Sequence, residues 1–530
     1  MVNISQGEVP QRTILFLIAD TGAGHRSAAN AIWNAITLIA QTESTASVGA
    51  DLSQPTASAE LAERVSIPSA SRSPIDRALD SPIHLPPSII STWASAERVS
   101  IPSPPMKPSA ATATLPNPPP AYRIEIVDVF EEYSRFPLRE AVKLYGPTIR
   151  FNPKLYGRFF HLSNQPETVS AIRTVATPFI QNGLMRLITS VRPDVIVSVH
   201  PMLNHVTIQA LQELGLPIPF ITVVTDLISV HYAWFAPGAD AYIVPTEQAK
   251  RLALQRGLDP ERMHVLGMPI DPKFRRLVAS KPELQRKFGL EPGKPVVLLV
   301  GGGDGAGGLE AATRAISRAR LPVQLMIVTG RNRRLYARLQ RTRSTLHVPA
   351  QVFGFVQNMP ELMHAADVII TKAGPGTICE ALACGLPIIL SGYVPGQESG
   401  NVDFVVTSGV GTLAHNSVEL VDMLRRLVKP GSPEMRRQLE NAKRVSRPWA
   451  SFDIAKCILS FLPPADQPSI WKTAQWHERH RKLSGRLRSA IRIRAPRRNL
   501  PRPTISKNPV STRLKRLTKM YRKQDSPLER

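Results

Sequence analysis

The sequence lacks a hydrophobic stretch long enough to cross a membrane. No run of about 18 apolar residues occurs, so a membrane-spanning helix is not expected. The N-terminus, MVNISQGEVPQR, has no apolar core of a secretory signal peptide, which favours a cytoplasmic protein. Cysteine is also scarce: Cys379, Cys384 and Cys457 form neither a disulfide framework nor a metal-ligand spacing, and we expect reduced thiols.

Aromatic residues are nearly absent between positions 41 and 120, where Trp93 is the only one. Fourteen prolines fall between Pro55 and Pro120, and the octapeptide AERVSIPS occurs twice, from Ala62 and from Ala96. Such a segment cannot bury enough apolar area to offset the entropy of ordering it. We therefore interpret residues 41–120 as a disordered insertion.

Acidic residues are few near the C-terminus. Residues 464–530 contain 19 Lys and Arg against 4 Asp and Glu, a net +15 of the total +25. Within this segment, residues 477–494 place a few apolar side chains among arginines in a short amphipathic pattern. We expect a disordered basic tail, whose charge suits either an anionic lipid surface or a nucleic acid.

The remaining sequence predicts two α/β domains. Short apolar runs that end in polar residues alternate with helical spacing, which is typical of doubly wound parallel sheets. The expected first domain comprises residues 1–40 and 121–260, and the second comprises 261–448. A hinge containing Gly and Pro, residues 265–271, joins them. A closing helix is expected at 449–463.

Glycine-rich turns follow two apolar strands of the second domain. Gly301 to Gly308 follows PVVLLV, and Gly374-Pro375-Gly376 follows the run from Ala366 to Ile370. Glycine lets the backbone approach a phosphate, and a helix that begins at such a turn directs free N–H groups at an anion. Neither turn carries Gly-Lys-Ser/Thr, which disfavours a P-loop. The turns therefore predict a diphosphate site.

A polar loop, Pro395 to Glu398, follows the next apolar run and should lie at the same sheet edge, with Glu380 one helical turn beyond the glycines. Carboxylates and amides near a diphosphate site suit the hydroxyls of a nucleotide sugar. No Asp-x-Asp pair stands at a strand end. We therefore expect sugar transfer with no metal and no cofactor, in which backbone amides and a helix dipole meet the charge of the departing diphosphate.

The first domain opens with a strand, Ile14 to Ala19, followed by Asp20-Thr21-Gly22-Ala23-Gly24-His25 and a helical pattern. A lone Gly-x-Gly indicates either a tight strand–helix connection or a binding turn. His25 favours the second interpretation, because it stands at the helix mouth, where a general base would be useful.

These motifs resemble the monogalactosyldiacylglycerol synthases. AGPGTICEAL, GLPIIL, GYVPGQE and GN are similar to the donor-site signature of that family, and DTGAGHRSAA, DVIVSVHP, VVTDL with HYAWF, GMPI, GGGDGAGG and GFVQNMPELM match elsewhere. The resemblance covers about residues 14–37 and 122–462. It implies a two-domain GT-B fold, a UDP-galactose or UDP-glucose donor, a 1,2-diacylglycerol acceptor and a β-glycoside product. Ala23 departs from the family, whose turn usually has glycine there.

The resemblance also implies roles for residues. His25 is similar to the family's base, which takes the proton from the acceptor hydroxyl. Glu380 would bind ribose, Gln397 and Glu398 would bind the sugar, and Phe355 and Val356 would present backbone to uracil. The other expected donor contacts are Gly302, Gly303, Asp304, Gly305, Gly374, Pro375, Gly376, Thr377 and Asn401. Trp234 resembles a tryptophan of the acceptor lobe near lipid, and Phe235 is taken with it.

The segment from Tyr133 to Phe160 is both basic and aromatic, and includes Tyr145 and Phe151. It is either a helix pair packed on the core or a lobe that contacts the membrane, with rings at headgroup depth and cations on phosphates. We expect a protein peripheral on the inner face of a membrane, with anionic lipids and no nucleic acid as partners.

Two alternatives remain open. One is a sugar-nucleotide epimerase, or a transferase of the same fold with another lipid-linked acceptor, against which the basic aromatic segment speaks. The other is an inactive protein that binds membrane or nucleic acid through its tail, against which the intact donor loops speak. Galactose and glucose both remain open as the transferred sugar.

Overall fold

Two parallel β-sheets of six strands each organise the chain. The computed structural model describes residues 11–20, 23–49, 122–143, 153–276, 279–302, 308–464 and 467–472, with backbone alone at 23, 43–49 and 153–156. Tyr145, Phe151, Gly303, Asp304 and Gly305 lie outside these ranges, as do residues 50–121 and the amphipathic segment 477–494.

The N-terminal sheet has the strand order β2-β1-β3-β4-β5-β6. Its strands are continuous apolar runs because both faces of a parallel sheet are covered by helices. They are β1 (Arg12–Ile18), β2 (Tyr122–Asp128), β3 (Val195–Ser198), β4 (Phe220–Val223), β5 (Ala241–Val244) and β6 (Met263–Val265).

Helices connect these strands. They are α1 (Ala23–Gly49), α2 (Val129–Tyr133), α3 (Leu138–Lys143), α4 (Pro153–Ser163), α5 (Pro166–Val191), α6 (Asn204–Leu214) and α7 (Glu247–Gln255). A short 3₁₀ helix, Tyr232–Trp234, follows β4. The sheet and α1 share one core, which includes Ile14, Phe16 and Ile32.

The C-terminal sheet has the strand order β12-β11-β10-β7-β8-β9. Its strands are β7 (Val296–Val300), β8 (Gln324–Val328), β9 (Ala350–Phe353), β10 (Val368–Lys372), β11 (Ile388–Gly392) and β12 (Gly411–Leu413). Separate apolar cores cover its two faces. The expected fold class, two Rossmann-like domains of the GT-B type, is confirmed.

The helices of this domain begin with α8 (Lys281–Lys287), α9 (Leu309–Arg318), α10 (Arg333–Thr342) and α11 (Met359–Ala365). They continue with α12 (Pro375–Ala383), α13 (Ser399–Thr407), α14 (Ser417–Leu427) and α15 (Pro433–Val445). Helix α12 starts at Pro375, within the glycine turn, because proline suits the first helical position, where no N–H is needed.

The last helix, α16 (Ala450–Leu459), returns to the N-terminal domain. Phe452 and Ile454 are buried in the same core as β1 and α1, and the Ser451 hydroxyl donates to the Ile270 carbonyl at 2.6 Å. A Cβ on Gly267, whose φ is +101°, would lie 2.9 Å from the Ala450 Cβ. The interdomain crossover is therefore packed closely against the closing helix.

Three boundaries differ from those expected. Helix α1 continues past residue 40 to Gly49, and β6 extends the N-terminal sheet past residue 260. The start of the basic tail is also packed: the Arg12 guanidinium donates to the carbonyls of Pro464 and Gln467, and the Trp471 indole donates to the Pro193 carbonyl at 2.9 Å. A buried tryptophan thus anchors a segment whose composition alone indicated disorder.

No helix in the described ranges is long and apolar enough to cross a membrane. All three cysteines are free thiols, as expected. Burial raises the pKa of Cys379 to about 12, which keeps that thiol protonated.

Both sheets reverse their chain order at one point. In the N-terminal sheet the reversal lies between β1 and β3, and in the C-terminal sheet between β7 and β10. Ligands of open parallel sheets bind outside the carboxyl ends of the strands at such a switch point. His25 follows β1, and the two glycine-rich turns follow β7 and β10, so the topology places the predicted groups at these two positions.

Candidate active site

His25 lies in the first turn of α1, at the carboxyl end of β1. Its Nδ1 is 3.3 Å from the Thr225 hydroxyl, which follows β4. Burial lowers the pKa of His25 to about 4, although a hydrogen bond to the Val199 backbone and the charge of Asp20 act in the opposite direction. The imidazole is therefore neutral at pH 7 and able to accept a proton.

A second histidine, His200, supports the first. It follows β3, and its ring centroid is 4.7 Å from that of His25 in an edge-to-face arrangement. Burial, together with the neighbouring imidazoles of His25 and His231, holds the pKa of His200 well below its usual value. In the sequence His200 is visible only as part of the DVIVSVHP motif, because the switch point that brings it beside His25 is a tertiary feature.

Trp234 and Phe235 do not face lipid. Trp234 is 0% exposed and Phe235 is 3% exposed, so neither side chain can reach a membrane. The Trp234 indole N–H donates to Asp226 Oδ2 at 2.7 Å, and its ring centroid is 6.3 Å from that of His25. Burial raises the pKa of Asp226 to about 6. The tryptophan is a buried neighbour of His25, and the prediction that it contacts the membrane is wrong.

Other apolar side chains are exposed in this domain. Phe136 is 77% exposed, and Phe159 and Leu162, both on α4, are 59% and 67% exposed. Lys143 at the end of α3 and Arg158 on α4 are basic neighbours of these residues along the chain. Phe136 and Phe159 are therefore exposed members of the segment 133–160, and the membrane-facing interpretation of that segment stays a prediction.

The glycine turn before α12 offers fewer amides than the sequence suggested. The Gly374 N–H donates to the Lys372 carbonyl at 2.8 Å, and Pro375 has no N–H. Gly376 and Thr377 lie in the first helical turn, where N–H groups have no intrahelical acceptor. These two residues therefore carry the amides that can meet an anion.

Glu380 lies one turn further along α12 and is partly buried. Burial, with the charge of Asp271, raises the pKa of Glu380 to about 7. Asp271 belongs to the interdomain crossover, and its Oδ2 accepts from the Asn34 side chain of α1 at 2.9 Å. Glu380 is therefore close to the junction of the two domains, and its side chain is only partly exposed to solvent.

Two expected donor-binding residues, Glu398 and Asn401, are largely buried. Glu398 is 5% exposed: it forms an ion pair with Lys372, and its Oε2 accepts from the Val394 N–H at 2.8 Å. Asn401 is 3% exposed, and its amide donates to the Ala373 carbonyl at 2.9 Å. Both side chains hold the loop and the glycine turn in place, while Gln397 remains half-buried. These bonds give both side chains a positioning role, and their direct contact with the donor stays a prediction.

Phe355 and Val356 lie in the loop after β9, at the carboxyl edge of the same sheet. Phe355 is 59% exposed, and the Arg331 guanidinium lies 5.3 Å from its ring centroid. Arg331 follows β8 by three residues and is exposed, and no motif in the sequence marks it as a site residue. The arrangement leaves an aromatic face and backbone groups available at the expected uracil position.

The carboxyl-end loops of the two sheets contact each other. The Gly400 N–H donates to the Ser229 hydroxyl at 2.9 Å. A Cβ on Gly396, whose φ is +83°, would lie 3.0 Å from Phe160 of α4. Ser229 follows β4 and Gly396 follows β11, so the histidine edge and the glycine edge border one crevice. The described ranges contain no group of three or more His, Cys, Asp or Glu side chains placed to hold a metal ion.

Comparison with known proteins agrees with this architecture. The family model described as monogalactosyldiacylglycerol (MGDG) synthase matches residues 119–270, and the glycosyltransferase family 28 C-terminal domain matches residues 296–450. The probable monogalactosyldiacylglycerol synthase 2, chloroplastic, of Oryza sativa subsp. japonica is 39% identical over 348 residues, 64% of this chain and 73% of that protein.

The monogalactosyldiacylglycerol synthase 3, chloroplastic, of Arabidopsis thaliana is 36% identical over 351 residues, 64% of this chain and 74% of its own length. Among solved structures, Acinetobacter baumannii MurG aligns with 12% identity and a TM-score of 0.45, covering 85% of this chain and 100% of its own. That structural likeness is too low to carry a conclusion, whereas the sequence identities are decisive. The chain belongs to the monogalactosyldiacylglycerol synthase family of glycosyltransferases.

Proposed function

We propose that the protein transfers galactose from UDP-galactose to the free hydroxyl of 1,2-diacylglycerol, with inversion at the sugar carbon, to make a β-monogalactosyl lipid. The main support for the proposal is that the switch points of the two sheets border the same crevice and present different groups to it. One presents a neutral imidazole, and the other presents helix amides after a glycine turn. The names of the relatives support galactose and diacylglycerol as the transferred group and the acceptor.

In this mechanism His25 removes the proton of the acceptor hydroxyl as that oxygen attacks the sugar carbon. Thr225 and the edge of His200 keep the imidazole in place, and the surrounding burial keeps it unprotonated. A positioned base of this kind contributes roughly 10²–10⁴-fold to the rate. Attack on the face opposite the leaving group gives the inverted β product.

The departing diphosphate would lie against the amides of Gly376 and Thr377 at the start of α12, where the helix dipole stabilises negative charge. Glu380 would accept hydrogen bonds from the ribose hydroxyls, and the loop containing Phe355 and Val356 would meet the uracil. The proposal needs no metal ion and no cofactor beyond the UDP-sugar donor.

We further propose that the protein binds peripherally to the inner face of an anionic membrane. Phe136, Phe159 and Leu162 are exposed on the N-terminal domain among basic residues, which suits insertion of apolar side chains between charged headgroups. The relatives reported above are named as chloroplastic proteins. Nucleic acid is not expected as a partner.

One experiment tests the function. The purified protein is incubated with diacylglycerol and either UDP-galactose or UDP-glucose, and the lipid products are analysed by mass spectrometry and by NMR of the anomeric proton. We expect a β-monogalactosyl product and a slower reaction with UDP-glucose. An equal or faster reaction with UDP-glucose would change the sugar assignment. A product that forms only with another lipid-linked acceptor, or no transfer at all, would favour one of the alternatives.

A further inference from the structure

Lys372 is the last residue of β10, and its side chain lies at the switch point between Gly302 and Gly374. A Cβ on Gly302, whose φ is +66°, would lie 3.2 Å from Lys372 Cε, and a Cβ on Gly374 would lie 3.3 Å from Lys372 Nζ. Any larger side chain at either glycine would therefore press on the lysine. The end of the Lys372 side chain thus lies between Gly302, which follows β7, and Gly374, which follows β10.

The ammonium has a single anionic partner within the described residues. Lys372 Nζ donates to Glu398 Oε1, and the other oxygen of that carboxylate is bonded to the Val394 N–H. An ammonium has three N–H donors, and the hydrogen bonds described for Nζ use one of them. The Lys372 side chain is 26% exposed while that of Glu398 is 6% exposed, so the pair reaches solvent through its cationic member.

We propose that Lys372 binds the diphosphate of the donor and stabilises its negative charge as the sugar leaves. The inference rests on the proposed function. It adds a cation, which was not among the predicted donor contacts, to the helix amides of the diphosphate site. Glu398 acts as a positioning residue: it holds the lysine tip between the turns and leaves two donors for phosphate oxygens. A charge-assisted hydrogen bond is roughly twice as strong as a neutral one, so the ammonium strengthens a site that has only two helix amides.

The chemical step balances without another reactant. The bond between the sugar carbon and the β-phosphate oxygen breaks, and its electron pair remains on UDP. A new bond forms from the acceptor oxygen to the same carbon, and the acceptor proton passes to His25. Lys372 forms no covalent bond and transfers no proton. It offsets the charge that accumulates on the diphosphate.

A purely structural role for the pair, anchoring the loop from Val394 to Glu398, makes a different prediction. Removing the lysine would then lower the melting temperature and affect every ligand of the domain alike. Removing a phosphate-binding cation instead affects ligands in proportion to their phosphates. A ligand series therefore separates the two roles.

The test is isothermal titration of the full chain with uridine, UMP and UDP. For Lys372→Met we expect UDP affinity to fall about 10- to 100-fold, UMP affinity to fall less, and uridine affinity to stay within about twofold of wild type. Lys372→Arg keeps the charge and should retain most UDP affinity. Because Lys372→Met alone leaves a buried carboxylate unpaired, the double variant K372M/E398Q is measured beside it and should show the same ligand pattern.

Two results would overturn the inference. Folded Lys372→Met and double variants that bind UDP as tightly as wild type would show that the lysine does not contact the diphosphate. An equal loss for uridine and UDP would assign the pair to loop anchoring. If the wild-type protein binds no uridine nucleotide, the proposed function itself fails, and this inference fails with it.

Discussion

The carboxyl ends of the two sheets differ in their electrostatics. At the N-terminal edge, His200 is buried while His25 and His231 near it are half-buried, and the pKa of each is lowered because burial disfavours the imidazolium. At the C-terminal edge, Lys372 pairs with Glu398, while Glu380 is held near Asp271 and has its pKa raised to about 7. The N-terminal edge keeps a base uncharged, whereas the C-terminal edge brings together groups that can bind a charged diphosphate and sugar hydroxyls.

The difference follows from what each half of the reaction needs. A general base must be neutral before it can take a proton, so desolvation helps it. A leaving diphosphate must be met by donors that are in place before the charge develops. Substitutions that act on one edge alone should therefore separate acceptor chemistry from donor binding.

His25→Ala should have the largest effect. We expect turnover to fall by roughly 10²–10⁴-fold while UDP affinity stays nearly unchanged, because the base and the nucleotide lie at different edges. His205→Ala is a matched control: its pKa is also lowered to about 4, but the imidazole contacts Arg173 rather than His25. Turnover, UDP titration and melting temperature are measured on both variants. An early-melting His25→Ala enzyme with normal turnover would end the assignment of His25 as base.

Glu380→Ala should act on the donor. Loss of hydrogen bonds between ribose hydroxyls and a carboxylate should weaken the apparent affinity for UDP-sugar by roughly 10- to 100-fold with the fold intact. Glu440→Ala is the control, since Glu440 is an exposed helix residue paired with Arg444. Steady-state kinetics at varied donor concentration provide the measurement. An unchanged donor titration would remove Glu380 from the site.

The two edges should also respond to pH with opposite signs. The pKa of Glu380 rises from 4.5 to about 7 on folding, so the folded state binds more protons and stability falls as pH increases through that interval. The pKa of His25 falls from 6.5 to about 4, so stability falls as pH decreases through that interval. In urea unfolding, the free energy of unfolding of Glu380→Gln relative to wild type should be higher at pH 8 than at pH 5. That of His25→Ala relative to wild type should be higher at pH 5 than at pH 8. Slopes of the same sign would contradict the contrast.

A smaller effect should separate exposed from buried aromatics. Phe159→Ser and Leu162→Ser should each lower binding to anionic vesicles several-fold, because an inserted apolar side chain contributes when it leaves water. Trp234→Phe should leave vesicle binding unchanged and reduce the free energy of unfolding by about 1–3 kcal/mol, since Asp226 loses its indole donor. Co-sedimentation and denaturant titration measure both.

The basic tail provides the comparison for this experiment. Truncation from Thr473 onward keeps Trp471 in its buried place and removes most of the positive charge. If truncation abolishes vesicle binding while Phe159→Ser has no effect, the membrane contact lies in the tail rather than on α4. Transfer to detergent-dispersed diacylglycerol should persist in the truncated protein.

A chelator should have the smallest effect. Amides, a helix dipole and Lys372 already meet the diphosphate in the proposed mechanism, so we expect the rate to be unchanged by excess EDTA. Activity that is lost in chelator and restored only by magnesium or manganese would contradict this assignment of charge stabilisation.

Much of the architecture could be predicted from local patterns. Continuous apolar runs predicted the strands of both sheets, and residue type and spacing predicted a helix around His25 and another after the glycine turn at Gly374. These features depend on neighbours in the chain, which the sequence displays directly. The family and the fold could be predicted from the resemblance for the same reason, because each matching motif is a continuous stretch of the sequence.

Side-chain direction was decided only by tertiary structure. The sequence did not show that the Trp234 indole donates to Asp226, which buries a predicted lipid contact, or that the Glu398 carboxylate pairs with Lys372, 26 residues away in the chain. The His25–His200 contact and the packed start of the tail likewise join distant segments. The sequence determined which groups stand at the strand ends, because that is local. Whether each group turns toward the crevice or into the protein depends on partners that only folding brings within reach.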